Sequence, residues 1–335
     1  MSREPLLSQG QHLNPQLFHK GVSQVPIRQG FGEGLRLAGE QNSQVVAMSA
    51  DLTESTRMNL FAEAYPERFF NVGVAEQNLA TVAAGLAVMG KVPFISSYAA
   101  FSPGRNYEQI RTTIALNDVN VKIVGSHAGI SVGPDGATHQ MLEDIAMMRV
   151  LPNMRVVVPA DAVEARKATL ALASTFGPSY LRLAREKSPI ITTDNTPFSL
   201  GQAAVLRIGY DLTIVACGTM VYQALQAARL LSKKKIEAEV INCAVIKPLD
   251  TATILASIRK TRAVVTAEEH QISGGLGGAL AELLSENDPV PLRRIGINDR
   301  FGESGDPEVL LKYFGLDAVA IAQVGTEIIR QKSKG

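Results

Sequence analysis

Short β-rich runs alternate with helical stretches from Gln44 onward, and this alternation is what most constrains the fold of the 335-residue chain. Strands that alternate with helices form a parallel sheet that is covered by helices on both faces. The sequence therefore predicts an α/β fold. In the first half the strand candidates are Val45–Ser49, Phe69–Val74, Val92–Ser96, Val121–Gly125, Arg155–Val158 and Ser179–Leu183. The helix candidates there lie near Gly30–Gln41, Glu76–Met89, Asn106–Leu116, Gln140–Arg149 and Ala162–Ala173.

A turn-rich segment from Glu186 to Gly201 interrupts the alternation, and a second α/β series follows it. We therefore expect two domains, 25–188 and 202–330, each with a mostly parallel sheet and helices on both faces, joined by a linker at 189–201. Residues 1–24 are polar and have no clear period, so they are predicted to be an N-terminal extension.

Charge and cysteine content exclude several classes of function. The chain has 33 Lys plus Arg and 32 Asp plus Glu, so its net charge of +1 favours neither nucleic acid nor a membrane surface as a partner. No apolar run approaches the ~20 residues of a membrane span, and the N-terminus lacks a signal-peptide pattern. The two cysteines, Cys217 and Cys243, lie in apolar runs typical of reduced core thiols. We expect a cytoplasmic protein.

The segment Asn71–Asn78, Asn-Val-Gly-Val-Ala-Glu-Gln-Asn, places Glu76 at a strand-to-helix turn between apolar neighbours. Burial disfavours the charged form of a carboxyl group, which suits a role in moving protons. The alternative is an ordinary acidic residue in the first turn of a helix, where the helix dipole favours it.

A glycine-rich segment, Gly125–Gln140, holds two of the five histidines and follows a predicted strand. Loops at the carboxyl ends of parallel strands form the binding crevice of such sheets. His127, Asp135 and His139 together offer donors and acceptors for a hydroxylated substrate. The alternative is a surface loop in which the histidines are incidental.

Aromatic and basic side chains also follow predicted strands. Tyr98 and Phe101 could hold a flat ring by stacking, although core packing is the commoner role of an aromatic residue. The candidates for phosphate recognition are Arg182 and Arg185, at the end of a predicted strand, and, more weakly, Arg57, with a surface ion pair as the alternative.

Two glycine motifs are not interpreted as nucleotide sites. Gly30-Phe31-Gly32-Glu33-Gly34 follows no predicted strand, and the spacing of Ser273–Gly278 does not match the dinucleotide fingerprint. Close packing between helix and sheet is the preferred explanation for the second motif.

Taken in order, the motifs resemble the C-terminal half of transketolase, present here as a separate chain. The resemblance covers roughly Arg28 to Ala322. Its most specific parts are Val72–Asn78, Ser97–Phe101 and Ser126–Gln140, and Ala267–His270 followed by Gly274-Gly275-Leu276-Gly277 is also family-like. The resemblance implies a pyrimidine-binding domain of thiamine diphosphate enzymes followed by a transketolase C-terminal domain.

This resemblance also implies roles for the singled-out residues. Glu76 would bond N1′ of the aminopyrimidine of thiamine diphosphate, and Tyr98 and Phe101 would form the aromatic pocket around that ring. His127, Asp135 and His139 would handle the sugar hydroxyls, with His127 and His139 also catalytic. Arg185 would contact the substrate phosphate together with His127, and Arg57 lies near a further phosphate-binding position. Tyr98 stands where a phenylalanine is more usual.

The motif that holds diphosphate and Mg²⁺ in the family, Gly-Asp-Gly, does not occur in this chain. The resemblance therefore implies half an active site, no metal ligands in this chain, and a separate N-terminal-type subunit that carries the diphosphate and Mg²⁺ half. An α2β2 assembly that acts on sugar phosphates is the simplest expectation.

Other enzymes of the same chemistry remain as alternatives: a β subunit of a 2-oxo acid dehydrogenase, or a deoxyxylulose-phosphate synthase-like enzyme. The first lacks the Ala-Glu-Gln-Asn context, and the second is normally one long chain. A non-catalytic scaffold subunit is the alternative from a different class. The two-histidine loop favours a transketolase.

Overall fold

Two sheets carry most of the strands in the computed structural model, which describes residues 7–332. The first six residues of the predicted extension lie outside the described part. The strands are β1 (Gln24–Pro26), β2 (Val45–Ser49), β3 (Phe69–Asn71), β4 (Val92–Tyr98), β5 (Lys122–Ser126), β6 (Arg155–Val157), β7 (Ser179–Arg182), β8 (Lys187–Pro189), β9 (Ala204–Arg207), β10 (Leu212–Ala216), β11 (Ala238–Asn242), β12 (Val245–Lys247), β13 (Val264–Gln271) and β14 (Leu292–Ile297).

The helices fall between the strands, as the alternation predicts. They are α1 (Ile27–Gln41), α2 (Asn59–Ala64), α3 (Glu76–Val88), α4 (Tyr107–Gln109), α5 (Asp144–Arg149), α6 (Ala162–Ala173), α7 (Met220–Ser232), α8 (Thr251–Thr261), α9 (Leu276–Glu286), α10 (Pro307–Tyr313) and α11 (Ala318–Lys332). A π-helical segment, Ile110–Ala115, continues α4, and a 3-10 segment, Ile130–Asp135, lies in the histidine loop.

The first sheet has seven strands in the order β12-β6-β7-β5-β4-β2-β3, and the second has five in the order β14-β13-β10-β11-β9. Pairing is parallel except at one edge of each sheet, where β12 runs antiparallel to β6 and β9 antiparallel to β11. The mostly parallel α/β fold predicted from the sequence is therefore confirmed. The chain reaches β12 only after β11 of the second sheet, so the second half of the sequence supplies an edge strand to the first sheet.

Apolar side chains fill both faces of the first sheet. On one face Phe31 and Leu35 of α1 pack with Leu172 of α6. On the other face the core continues from Leu79 of α3 to Cys243 beyond β11, so one apolar cluster joins the two sheets. Both cysteines are buried free thiols, as predicted.

The glycines of the Gly30–Gly34 motif have a packing role. A Cβ at Gly30 would lie 1.8 Å from the carbonyl oxygen of Ala162, at the start of α6. Only a residue without a side chain lets the two helices approach this closely. The packing role of Gly30 agrees with the prediction that this motif is not a dinucleotide fingerprint.

The predicted strand Phe69–Val74 ends earlier, at Asn71. Gly73 has φ +73°, and the Asn71 side-chain oxygen accepts bonds from the backbone N–H groups of Gly73 and Asp51. This turn brings the chain directly into α3. Likewise, the predicted helix Gln140–Arg149 begins only at Asp144, because the Gln140 amide instead bonds carbonyls within the histidine loop.

Residues 7–23 are polar overall, but they pack on the rest of the chain. Leu17 is buried, and Asn14 Nδ2 donates to the carbonyl of Ile190 at 2.8 Å. At the other end, the stretch Pro307–Lys332 is long and apolar enough for a membrane span by composition alone. The structure divides it into α10 and α11, and buried residues of α11 such as Ile321 and Ile328 join the apolar core beside the second sheet.

Candidate active site

Glu76 is the first residue of α3, and it is held from two sides. Its side chain is 4% exposed, so the burial expected from its apolar neighbours is found. Asn106 Nδ2 donates to its backbone carbonyl at 2.9 Å, and Ser97 Oγ donates to its Oε1 at 3.4 Å. Strand β4 and the segment that follows it therefore set the position of the carboxylate.

Arg105 lies directly against this carboxylate. Its Nη1 is 3.3 Å from both carboxylate oxygens of Glu76, and its guanidinium carbon lies 4.0 Å from the centroid of the Phe101 ring. The arginine side chain is 49% exposed, whereas the glutamate is buried. Sequence reasoning missed Arg105. The only available signal was its position four residues after Phe101.

Four rings form a continuous surface beside Glu76. Tyr98 stacks on His127 with centroids 3.9 Å apart and on Phe101 at 5.8 Å. His139 meets Phe101 edge-on at 5.3 Å. The structure thus brings together the aromatic pair of β4 and both histidines of the glycine-rich loop, all at the carboxyl ends of β4 and β5.

His127 has a left-handed backbone conformation and a buried side chain. Its φ is +57°, in the left-handed region, and its side chain is 2% exposed. Arg28 Nη1 lies 2.8 Å from its Nε2, and Ser126 Oγ lies 2.9 Å from its Nδ1. Burial, reinforced by the positive charges of Arg28 and Arg185 and by His139, lowers the pKa of His127 to about 3. The imidazole is therefore neutral at ordinary pH.

Arginine side chains gather at the His127 end of the site. Arg185 Nη1 donates to the carbonyl of Val132 at 2.7 Å and lies 3.7 Å from a carboxylate oxygen of Asp135. Burial and the nearby charges of Arg57 and Arg185 lower the pKa of Arg28. Three arginines in one electrostatic neighbourhood make this end of the site suited to an anionic group.

Arg28, which sequence reasoning missed, is the arginine that contacts His127. Arg57, which was singled out, acts on the cluster through its charge, and its Nε has no hydrogen-bond partner among the described residues. Arg182, the other arginine predicted for phosphate recognition, instead has a structural role, because its Nε donates to Asp144 Oδ2 at 2.8 Å in the core.

These residues fit an aminopyrimidine. A buried carboxylate already holds the planar, N–H-donating guanidinium of Arg105 against the face of Phe101, and a flat heterocycle with polar nitrogens has the same requirements. Among residues 7–332, no group of three or more His, Cys, Asp or Glu side chains converges as metal ligands. Fold and site together define the pyrimidine-binding part of a thiamine diphosphate enzyme.

Comparison with known proteins agrees with this class. Residues 23–190 match the family described as transketolase, pyrimidine binding domain, and residues 201–321 match transketolase, C-terminal domain. A putative transketolase C-terminal section from Methanocaldococcus jannaschii is 47% identical over 300 residues, which cover 89% of this chain and 94% of that protein. A 6-deoxy-6-sulfo-D-fructose transketolase subunit from a Clostridium species is 44% identical and covers 88% and 91%, respectively.

A solved structure described as a split gene transketolase, inactive β4 tetramer, superposes with a TM-score of 0.86 at 46% identity. The match covers 91% of this chain and 99% of the other. The chain therefore belongs to the transketolase family, as a C-terminal section of the split type.

Proposed function

We propose that this chain transfers a two-carbon ketol unit from a ketose to an aldose, both with an anionic terminal group, as one subunit of a split transketolase. One observation carries the proposal. The buried carboxylate of Glu76 lies at one end of the four-ring surface, and the cluster of Arg28 and Arg185 lies at its other end, beside His127. A carboxylate that suits the cofactor ring and a cationic end that suits the substrate thus lie on one surface.

Thiamine diphosphate, when bound, supplies the electron sink for breaking and forming a carbon–carbon bond. In this chain, Glu76 would hold the N1′ side of the aminopyrimidine and Phe101 would cover one face of that ring. Tyr98 supports both Phe101 and His127 from behind. The role of this surface is to orient the ring and to control the proton on the atom that Glu76 contacts.

Substrate hydroxyls would meet His127, His139 and Asp135. His127 is neutral, so it contributes a hydrogen-bond donor or acceptor rather than a charge, and the arginines neutralise the anionic terminus. Asp135 also lies beside Arg185, since the two side chains form an ion pair at 3.7 Å. A bidentate arginine suits either a phosphate or a sulfonate group.

A partner subunit completes the site in this proposal. The chain lacks the Gly-Asp-Gly motif, so a separate N-terminal-type subunit would hold the diphosphate and Mg²⁺, in an α2β2 heterotetramer in the cytoplasm. Exposed apolar residues of α3, the helix that Glu76 begins, favour a subunit contact, because Val82 and Val88 are 40% and 76% exposed. The pentose phosphate pathway and specialised sugar degradation are both compatible with this assembly.

The test is reconstitution. The purified chain is combined with the N-terminal-type subunit of the same genome and assayed with a panel of ketose phosphates and a sulfonated ketose, each with aldose acceptors. We expect turnover only from the combined subunits. We also expect Glu76→Gln to form the same complex and to lose nearly all ketol transfer.

Full turnover by the chain alone would contradict the shared site, and wild-type turnover by Glu76→Gln would contradict the role of Glu76. Glu108→Gln is the matched control, since Glu108 is exposed on α4 and makes hydrogen bonds with its neighbours Gln109 and Thr112. Decarboxylation of a 2-oxo acid in place of ketol transfer would support the dehydrogenase alternative.

A further inference from the structure

We propose that Arg105 occupies the place of the cofactor's aminopyrimidine in the free subunit and has to be displaced when the cofactor binds. The inference rests on the proposed function, because it assumes that Glu76 and Phe101 form the cofactor pocket. It adds a residue to which neither the family resemblance nor the comparisons assign a role.

Geometry is the first support. The guanidinium of Arg105 makes the two contacts that the ring is expected to make: its Nη1 reaches both oxygens of Glu76 at 3.3 Å, and its central carbon lies 4.0 Å from the centroid of the Phe101 ring. A guanidinium is planar, donates N–H bonds and stacks on aromatic faces. Arg105 and an aminopyrimidine therefore compete for the same carboxylate and the same ring face.

Charge is the second support. A carboxylate that is 4% exposed needs a partner, since an unpaired buried charge is strongly unfavourable. Arg105 is the cation within ion-pair distance of Glu76 in the described chain. It therefore compensates the carboxylate while the pocket holds no cofactor.

Exposure is the third support, because it makes the contact reversible. The Arg105 side chain is 49% exposed, so its outer part already lies in solvent. An ion pair with one exposed partner changes an equilibrium by about fivefold or less. A cofactor that is also bound through its diphosphate can overcome such a contact, whereas the isolated ring has to compete with it directly.

The test is a titration of the purified chain with 4-amino-5-hydroxymethyl-2-methylpyrimidine, followed by ligand-observed NMR. This probe carries the ring but not the diphosphate, so the partner subunit is not needed. We expect Arg105→Ala to bind the ring more tightly than wild type, by up to about fivefold. Arg105→Lys, which keeps the charge but not the plane, is expected to fall between them.

Arg111→Ala is the matched control, because Arg111 is an exposed arginine in the next segment and its loss removes the same charge. It is expected to bind the ring as wild type does. Thermal unfolding without ligand gives a second measurement: Arg105→Ala is expected to have a lower Tm than Arg111→Ala, and the added ring is expected to raise its Tm more.

Two results would overturn the inference in different ways. Equal or weaker binding of the ring to Arg105→Ala would show that Arg105 does not compete, and would leave the proposed function intact. The cofactor pocket itself would be contradicted if no variant bound the ring. It would also be contradicted if the double variant Glu76→Gln/Arg105→Ala bound the ring as tightly as Arg105→Ala does.

Discussion

Arg28 Nη1 lies 2.8 Å from Nε2 of His127, and this contact joins the start of α1 to the loop after β5. An arginine can only donate, so Nε2 of His127 accepts and its hydrogen is on Nδ1, from which it donates to Ser126 Oγ at 2.9 Å. One tautomer of a neutral imidazole is therefore selected by two neighbours. Arg28 also adds its positive charge to the His127 end of the site, where Arg185 lies.

Loss of Arg28 is expected to weaken anion binding. Arg28→Gln removes one charged donor from a partly buried cluster, which corresponds to about a tenfold to hundredfold loss in affinity. The measurement is calorimetric titration of the subunit with inorganic phosphate, and then KM in the reconstituted enzyme. Arg36→Gln is the control, because Arg36 lies on the same helix and pairs only with exposed Glu40 among the described residues. Equal losses in both variants would contradict a specific role for Arg28.

Acidification is expected to destabilise the protein through His127. The pKa of this histidine is lowered from 6.5 to about 3 in the folded chain. Above pH 6.5 it is therefore neutral in both the folded and the unfolded state, and its burial costs no stability through protonation. As the pH falls below 6.5 the unfolded state takes up the proton and the folded state does not. The loss reaches about 2 kcal/mol at pH 5 and ends only near pH 3.

His127→Gln is expected to lack this part of the pH dependence, whereas His19→Gln, at an exposed position, is expected to retain it. The free energy of unfolding in denaturant at pH 7.5 and pH 5 measures both. If His127→Gln loses as much stability as wild type between these two values, the histidine does not titrate as stated.

Glu164 is expected to act in the opposite direction. Burial and the neighbouring Asp161 raise its pKa from 4.5 to about 7, although Ala160 N–H and Asn242 both donate to it. The folded state therefore favours the protonated acid, so its contribution to stability is present below pH 4.5 and is lost as the pH rises to about 7. Glu164→Gln is expected to gain about 3 kcal/mol at pH 8 and almost nothing at pH 4.5. Unfolding at both pH values, with exposed Glu286→Gln as the control, checks the sign.

Gly129 is expected to tolerate no side chain. Its φ is +94°, and an added Cβ would lie 2.3 Å from Oε1 of Glu269, which accepts the Ser131 N–H at 2.6 Å. Gly129→Ala is expected to lose about 2 kcal/mol or more of stability. It is also expected to weaken phosphate binding, because the carbonyl of Val132, which accepts a hydrogen bond from Arg185, lies three residues further along the same loop.

Gly85→Ala provides the contrast, since Gly85 lies inside α3 and a Cβ there would meet open space. This variant is expected to gain about 0.5–1 kcal/mol. Chemical unfolding of both variants of the isolated chain is the measurement. A neutral effect of Gly129→Ala would show that the Glu269 contact does not restrict the loop.

The sequence by itself determined the elements and the local placement of chemistry. Periodicity located β2 and α6 at their observed bounds, because the apolar pattern of each element is local. The reason is the same for Glu76, Tyr98 and His127: each lies shortly after the end of a predicted strand, and parallel strands present their carboxyl ends at one edge.

Only the tertiary structure decided which charged side chains lie at the carboxyl-end edge of the first sheet. Arg28 opens a helix 99 residues before His127, and Arg105 lies 29 residues after Glu76. Nothing in the local pattern distinguishes either from an exposed arginine such as Arg36, because an ion pair depends on distance in space rather than along the chain. The packing of α1 on α6 and the turn after β4 bring these two arginines to the histidine and the glutamate.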